Sequence, residues 1–232
     1  MLARILAIFA IPALLVLVVF LALGFLWWPF FILAIPAAIG VAWWLAQRAD
    51  SVILNRLGAR PVGQLEGERI LNTLENLCLQ SGISQPDVLV LDSPACNIAA
   101  VSGRNDTLLV TTGLLELLDV MEMEGVVAHG LTKLSAGTSQ YETLAASASP
   151  LITQRQRDMA RQWATGGTGE SAFDISGVGL TRYPPGLRSA LERIDGRSTD
   201  VAGGEALGSA WLVPPAGQRI PLDHRIEVLW EL

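Results

Sequence analysis

From Ile5 to Ala46 the chain has no charged residue, and this stretch constrains the fold more than any other feature. At about 1.5 Å per residue, a helix of this length would extend about 63 Å, roughly twice the hydrocarbon thickness of a bilayer. The stretch therefore predicts a transmembrane helical hairpin in residues 1–48, with spans at about 5–25 and 30–46. A cleaved signal peptide is the alternative, but a second apolar span follows at once and no small-residue cleavage site stands out.

The residues that flank the predicted spans indicate their orientation. Tryptophan side chains favour the membrane–water interface, and arginines favour the cytoplasmic side. The tryptophans are Trp27, Trp28, Trp43 and Trp44, and the arginines are Arg4, Arg48, Arg56 and Arg60. We therefore expect a multi-pass protein of the inner or plasma membrane with both termini in the cytoplasm.

Residues 49–232 are long enough for one domain with its own core. Arg48 and this domain together contain all the acidic residues and carry a net charge of about −7, which argues against a nucleic-acid partner. Cys78 and Cys96 lack metal-site spacing and are expected to be buried thiols. Residues 49–66 are predicted to be a polar connector because they include Gly58, Pro61 and Gly63.

The periodicity of the domain predicts an α+β fold that is mainly helical with a small sheet. Strands are expected at 87–91 and 107–111, with a third extended piece from Asn97. Helices are expected at about 70–82, 112–118, 119–134, 170–180, 184–194 and 222–231. Asp119 and Glu122 have the spacing of a capping box at the start of the third of these helices.

The helix at 119–134 carries a pattern close to that of a zinc peptidase. In a His-Glu-x-x-His motif two histidines on one helical face bind zinc, and the glutamate acts as general base. Here His129 is present, Gly130 takes the position of the base, and Lys133 takes that of the second histidine. On spacing alone, an amphipathic core helix with an isolated histidine is the simpler interpretation.

Several further segments resemble the HtpX-like membrane zinc endopeptidases, the family that includes the CAAX prenyl proteases. In chain order, the matching segments cover residues 97–104, 110–118, 124–129, 180–192 and 221–226. The resemblance implies a zincin-like domain in which Glu170 is the third zinc ligand and Asp174 is a partner of His129. The alternative is that both carboxylates are simply solvated.

The resemblance also implies that Asn97, Ile98, Ala99 and Ala100 form the sheet edge along which a peptide substrate lies. Such an edge can bind a peptide by strand addition without catalysis. The alternative is an edge capped by the chain's own residues 135–169. These polar residues stand where the family's second membrane hairpin is expected.

The replacements predict a pseudoprotease, that is, a membrane-anchored metallopeptidase homologue without catalysis that binds or scaffolds other membrane proteins or peptide segments. No cofactor is expected, because His129 and Glu170 alone are too few ligands for zinc. We also predict that Lys133 pairs with Glu170 within about 4 Å. Two other hypotheses are a zinc endopeptidase that uses Glu124, Glu142 or His224, and a subunit of a larger membrane assembly.

Overall fold

The computed structural model describes residues 14–21, 29–147, 170–215 and 221–232. Residues 14–21 are helical. The later helices are α1 Pro29–Leu57, α2 Gln64–Ser81, α3 Thr112–Leu117, α4 Val120–Ser135, α5 Thr138–Ser147, α6 Glu170–Thr181, α7 Pro184–Ile194 and α8 Leu222–Trp230. A 3-10 helix covers Glu205–Ala210.

The sheet has four strands in the order β1-β2-β4-β3. Their bounds are β1 Arg60–Pro61, β2 Asp87–Leu91, β3 Ile98–Ser102 and β4 Asp106–Thr111. Strands β2 and β4 are parallel, whereas β3 pairs with β4 and β1 with β2 in the antiparallel sense. The small mixed sheet among many helices confirms the predicted α+β class.

The two faces of the sheet support two hydrophobic cores, because successive side chains of a strand point to opposite sides. Ile98, Ala100, Leu108 and Val110 belong to the core that α2, α4 and α7 complete. Ala99, Val101 and Leu109 belong to the second core, with Ile53 of α1 and Trp211 after the 3-10 helix. The sheet thus lies between α4 on one side and α1 with the 205–211 segment on the other.

Helix α4 is the central helix of the domain and carries the motif of interest. Its start is the predicted capping box: the Glu122 amide donates to the Asp119 carboxylate at 2.9 Å, and the Asp119 amide donates to Glu122 at 2.9 Å. From Gly125 to Leu134 every residue is buried. Polar groups on this helix therefore need partners inside the protein.

Helix α1 corrects the prediction of a polar connector at 49–66, because the helix continues to Leu57. Ala49, Ile53 and Leu54 are buried at helical spacing, so packing on the domain outweighs the polar character of their neighbours. The Asp50 carboxylate accepts the Arg104 amide at 3.0 Å in the turn between β3 and β4. The helix is thereby fixed to the sheet.

The structure does not support the predicted membrane hairpin within the residues that it describes. The first span, at about 5–25, falls mainly outside the described residues, and the second, at 30–46, lies within α1. Within the described part of the chain, none of the helices combines the length and the apolar character needed to cross a membrane.

Candidate functional site

Two helices bring the four predicted site residues together. His129 and Lys133 lie one turn apart on α4 and are 1% and 2% exposed. Glu170 and Asp174 lie one turn apart on α6 and are also buried. Gly177 permits this close approach, since a Cβ there would lie only 3.0 Å from the His129 amide nitrogen and 3.1 Å from its Cα.

Asp174 joins His129 to Arg225 of α8. Its Oδ1 lies 2.8 Å from His129 Nδ1, and both its oxygens accept hydrogen bonds from the Arg225 guanidinium at 2.7 Å. Burial alone would raise the pKa of Asp174, but the contacts with His129 and Arg225 outweigh it and hold that pKa well below its usual range. Asp174 is therefore an ionised carboxylate that orients His129.

Arg225 is a site residue to which the sequence assigned no role. Its guanidinium also donates to the Leu212 carbonyl at 2.6 Å, and the side chain is 1% exposed. Burial would lower the pKa of Arg225, but the Asp174 carboxylate more than offsets this and raises it. The available signal was the matching segment at 221–226, which contains this arginine in the first turns of the predicted last helix.

Lys133 forms the predicted ion pair. Its Nζ lies 2.7 Å from Glu170 Oε2, which confirms the pairing. The same Nζ donates hydrogen bonds to the backbone carbonyls of Ser209 at 2.8 Å and Trp211 at 2.9 Å. An ammonium has three N–H donors and no acceptor. Its Nζ therefore lies close to three oxygen atoms here.

This arrangement does not fit a zinc ion. Structural and catalytic zinc sites use at least three protein ligands, yet the described residues contain no cluster of three or more His, Cys, Asp or Glu side chains that could hold a metal. His129 Nε2 is 3.9 Å from Glu170 Oε2, and it has no hydrogen-bond partner in the described structure. The Lys133 ammonium takes up the Glu170 oxygen that a metal would need.

Gly130 supplies no general base and leaves little room for one. A Cβ at this position would lie 2.8 Å from Leu108 Cδ2 on strand β4, whereas carbon atoms in contact are normally about 3.5–4.0 Å apart. A glutamate could be accommodated only if Leu108 moved. The position has therefore lost both the carboxylate and the space beside its backbone.

The three residues considered as replacement ligands lie in different surroundings. Glu142 of α5 is buried and accepts a hydrogen bond from the Ser209 hydroxyl at 2.5 Å, so it approaches the site through Ser209. Glu124 is only partly buried. The His224 side chain is 61% exposed and lies 4.0 Å from Glu227, so it is a surface residue.

The edge strand β3 is covered by other parts of the same chain. The Ile98 carbonyl accepts a hydrogen bond from the Leu212 amide at 2.7 Å, and Ala99 forms an antiparallel bridge with Trp211. The Ser102 amide donates to the Thr143 hydroxyl at 3.0 Å. Residues 97–100 are all at most 1% exposed. The predicted peptide edge is therefore closed at these four residues, chiefly by residues 209–213, which we call the edge segment.

Asn97 anchors this edge segment rather than presenting a free edge. Its side-chain amide donates to the carbonyls of Thr199 at 2.9 Å and Val213 at 2.8 Å. Its side-chain oxygen, Oδ1, accepts hydrogen bonds from the backbone amides of Ile98 at 3.0 Å and Val213 at 3.1 Å. All four hydrogen-bonding positions of one side chain are used.

Lowering the pH below about 6.5 is expected to destabilise the fold through His129. Burial and then the Lys133 charge lower the pKa of His129 from 6.5, although Asp174 opposes them and Glu170 and Arg225 lie nearby. As the pH falls, the unfolded chain therefore protonates this histidine before the folded chain does. The contribution of neutral His129 to the free energy of unfolding is complete above about pH 6.5. It decreases toward the folded pKa by up to about 1.4 kcal/mol per pH unit. Between pH 7.5 and 5, the Tm of His129→Gln should decrease less steeply with falling pH than the Tm of wild type. His224→Gln is the control; an unchanged slope in His129→Gln contradicts the assignment.

Comparison with known proteins agrees with this scaffold. No protein-family model matches the chain. A protein named "Protease HtpX homolog" from Dictyoglomus turgidum is 30% identical over 184 residues, which cover 64% of this chain and 60% of that protein. The homologue from Acidiphilium cryptum is 30% identical over 67% of this chain and 64% of its own length. That from Bacteroides fragilis is 37% identical over 45% of this chain and 34% of its own length.

The names of these relatives support a metallopeptidase-like family for the chain. These relatives, all named as HtpX protease homologues, support placing the chain in an HtpX-like family. The chain spans about 60% of the length of the Dictyoglomus relatives that it matches.

Proposed function

We propose that this chain is a membrane-anchored metallopeptidase homologue without peptidase activity, a pseudoprotease that acts by binding other membrane proteins. The observation that carries the proposal is the Lys133 ammonium, which lies 2.7 Å from the oxygen of Glu170. A positive charge at this place opposes a metal cation, and the carboxylate that would bind zinc is already neutralised.

The loss of the base is a second reason to propose an inactive protein. Removing a positioned general base costs about 10²-fold or more in rate. In the described structure no carboxylate replaces Gly130 on the His129 face of α4, and Leu108 fills the adjacent space. Neither the metal nor the proton transfer of a zinc peptidase has its usual groups here.

The apolar surface of the N-terminal helices supports the membrane anchor. The exposed fractions of large apolar side chains reach 65% at Leu15, 54% at Ile35, 57% at Trp43 and 53% at Trp44. Large apolar side chains exposed in this number on the N-terminal helices are typical of a membrane or protein contact. The Arg48 guanidinium lies 4.8 Å from the centre of the Trp44 ring, as suits a helix leaving the bilayer toward a basic cytoplasmic flank. The proposed hairpin places both termini in the cytoplasm.

Partner binding is assigned to this apolar region rather than to strand β3. The edge segment already occupies the hydrogen-bonding side of β3, so an added peptide would first have to displace buried residues such as Trp211 and Leu212. Small residues such as Gly40, beside which a Cβ would meet nothing within 4 Å, leave room for close helix packing. Other membrane proteins are therefore the proposed partners, and nucleic acid is not.

The experiment that tests the proposal combines metal content with peptidase activity. The full chain, purified in mild detergent and supplied with Zn²⁺, is incubated with casein and with a membrane-protein substrate beside the Dictyoglomus turgidum homologue. We expect no bound zinc and cleavage at least about 10²-fold below that of an active zinc peptidase. Cleavage that a chelator and Glu170→Gln both abolish would establish the alternative, a zinc endopeptidase with another ligand.

A further inference from the structure

The Lys133 ammonium joins three segments that are far apart in the chain. Its stem belongs to α4, its carboxylate partner Glu170 lies in the first turn of α6, and its two carbonyl partners lie at Ser209 and Trp211. Ser209 and Trp211 belong to the edge segment, which covers β3 through Leu212 and Trp211. One charged atom thus connects the site on α4 with the closed edge of the sheet.

The contacts of this ammonium are those expected of a bound cation. Three oxygen atoms lie 2.7–2.9 Å from Nζ: it donates hydrogen bonds to two carbonyls and forms an ion pair with the Glu170 carboxylate. The Lys133 side chain is 3% exposed and that of Glu170 is 10% exposed, so water supplies little of the solvation of either charge. The Phe173 ring, whose centre is 5.7 Å from Nζ, adds a face that attracts positive charge.

We infer that the Lys133 ammonium is a tethered cation that has taken over the structural task of a metal ion. It neutralises Glu170, fixes α6 against α4, and holds the carbonyls of Ser209 and Trp211 so that the edge segment stays on β3. The inference rests on the metal-free site of the proposed function. It adds that the same substitution which removed a metal ligand also holds the peptide edge closed.

Two consequences distinguish a tethered cation from a lysine that merely fills space. Removing the charge alone should loosen the edge segment, so that the Leu212 amide, which donates to the Ile98 carbonyl, exchanges its hydrogen faster. Removing the whole side chain should leave a cavity that can bind a free cation of the same shape. The matching ion is n-propylammonium, because truncation to alanine removes three methylene groups and the ammonium.

The test uses the full chain in detergent with a chelator present, and it compares Lys133→Ala with Lys133→Met. Both should unfold at a Tm about 10 °C below wild type, since a buried carboxylate loses its partner. About 100 mM n-propylammonium should raise the Tm of Lys133→Ala by at least about 2 °C, as a ligand of the folded state does. In wild type and Lys133→Met a side chain fills this cavity. Their Tm should therefore change no more with n-propylammonium than with sodium at the same ionic strength.

A charge-removing double variant keeps the inference testable even if Lys133→Ala does not fold. Lys133→Met with Glu170→Gln should unfold at a higher Tm than Lys133→Met alone, because no buried charge remains unpaired. A double variant that is no more stable than Lys133→Met, or a Lys133→Ala that n-propylammonium does not stabilise, overturns the tethered cation. Zinc measured in wild type before the chelator is added separates the two claims, because zinc bound there contradicts the proposed function instead.

Discussion

Replacing Arg225 with methionine is expected to lower the free energy of unfolding by about 3–5 kcal/mol, as breaking a buried ion pair generally does. Arg225 and Asp174 are both 1% exposed and share two hydrogen bonds of 2.7 Å. The substitution would leave Asp174 ionised and buried with only His129 beside it, and the Leu212 carbonyl would lose its donor. Thermal or denaturant unfolding followed by tryptophan fluorescence measures the loss.

The control for this prediction is Arg60→Met, the same substitution at an exposed arginine–aspartate pair. Arg60 lies 2.8 Å from Asp92, and the two side chains are 34% and 67% exposed. Exposed pairs contribute about 0–1 kcal/mol, because water and salt screen them. Arg225→Lys should give an intermediate loss, since lysine keeps the charge but cannot form the two-pronged contact. An Arg225→Met variant that is no less stable than Arg60→Met contradicts the role assigned to the buried pair.

Replacing Asn97 with alanine is expected to cost about 3 kcal/mol, because four buried backbone groups lose their partner and each unpaired group costs about 1–3 kcal/mol before relaxation. The groups are the carbonyls of Thr199 and Val213 and the amides of Ile98 and Val213. The expected structural effect is release of the edge segment from the start of β3. Unfolding measurements give the energy, and hydrogen exchange at Val213 locates the effect.

Asn105→Ala is the matched control for the asparagine. Asn105 lies in the exposed turn between β3 and β4, where its amide donates to Asp87 at 3.4 Å. An exposed substitution of this kind changes stability by about 0.5 kcal/mol or less. Equal losses at the two asparagines would contradict the anchoring role of Asn97 and would reopen β3 as a peptide-binding edge.

The local features of the site could be predicted from sequence because they depend on spacing along one helix. The capping box at Asp119 follows from a three-residue interval, and the shared face of His129 and Lys133 follows from a four-residue interval. The ion pair of Lys133 with Glu170 follows from a different argument: a carboxylate that loses its metal in a buried place needs another positive charge.

The remaining contacts could not be predicted because they involve backbone atoms, whose position carries no side-chain signature. The carbonyls of Ser209 and Trp211 accept hydrogen bonds from the Lys133 ammonium. In the sequence, the segment that contains them is only a Gly/Ser-rich loop followed by a short apolar run. The closed edge of β3 has the same origin, since the Leu212 amide covers it. Helix α1 continues beyond the predicted boundary because tertiary burial of Ile53 and Leu54 outweighs the local polarity.

The edge segment changes how the family scaffold is used in this chain. The resemblance implied a metal site beside an open strand. Here the Lys133 ammonium occupies the metal position and the edge segment covers the strand, and the hydrogen bond from the ammonium to the Trp211 carbonyl connects the two. We therefore expect binding to other proteins to depend on the apolar N-terminal surface. Substitutions at Lys133 should affect such binding only by destabilising the domain.

The most direct measurement of the central claim is the zinc content of the full chain. The protein is purified in mild detergent, incubated with Zn²⁺, desalted and examined by elemental analysis beside Glu170→Gln. The Lys133–Glu170 pair predicts far less than one zinc per chain, with no difference between wild type and the variant. One zinc per wild-type chain, lost in Glu170→Gln, would contradict the proposed pseudoprotease and would show that a further ligand completes a metal site.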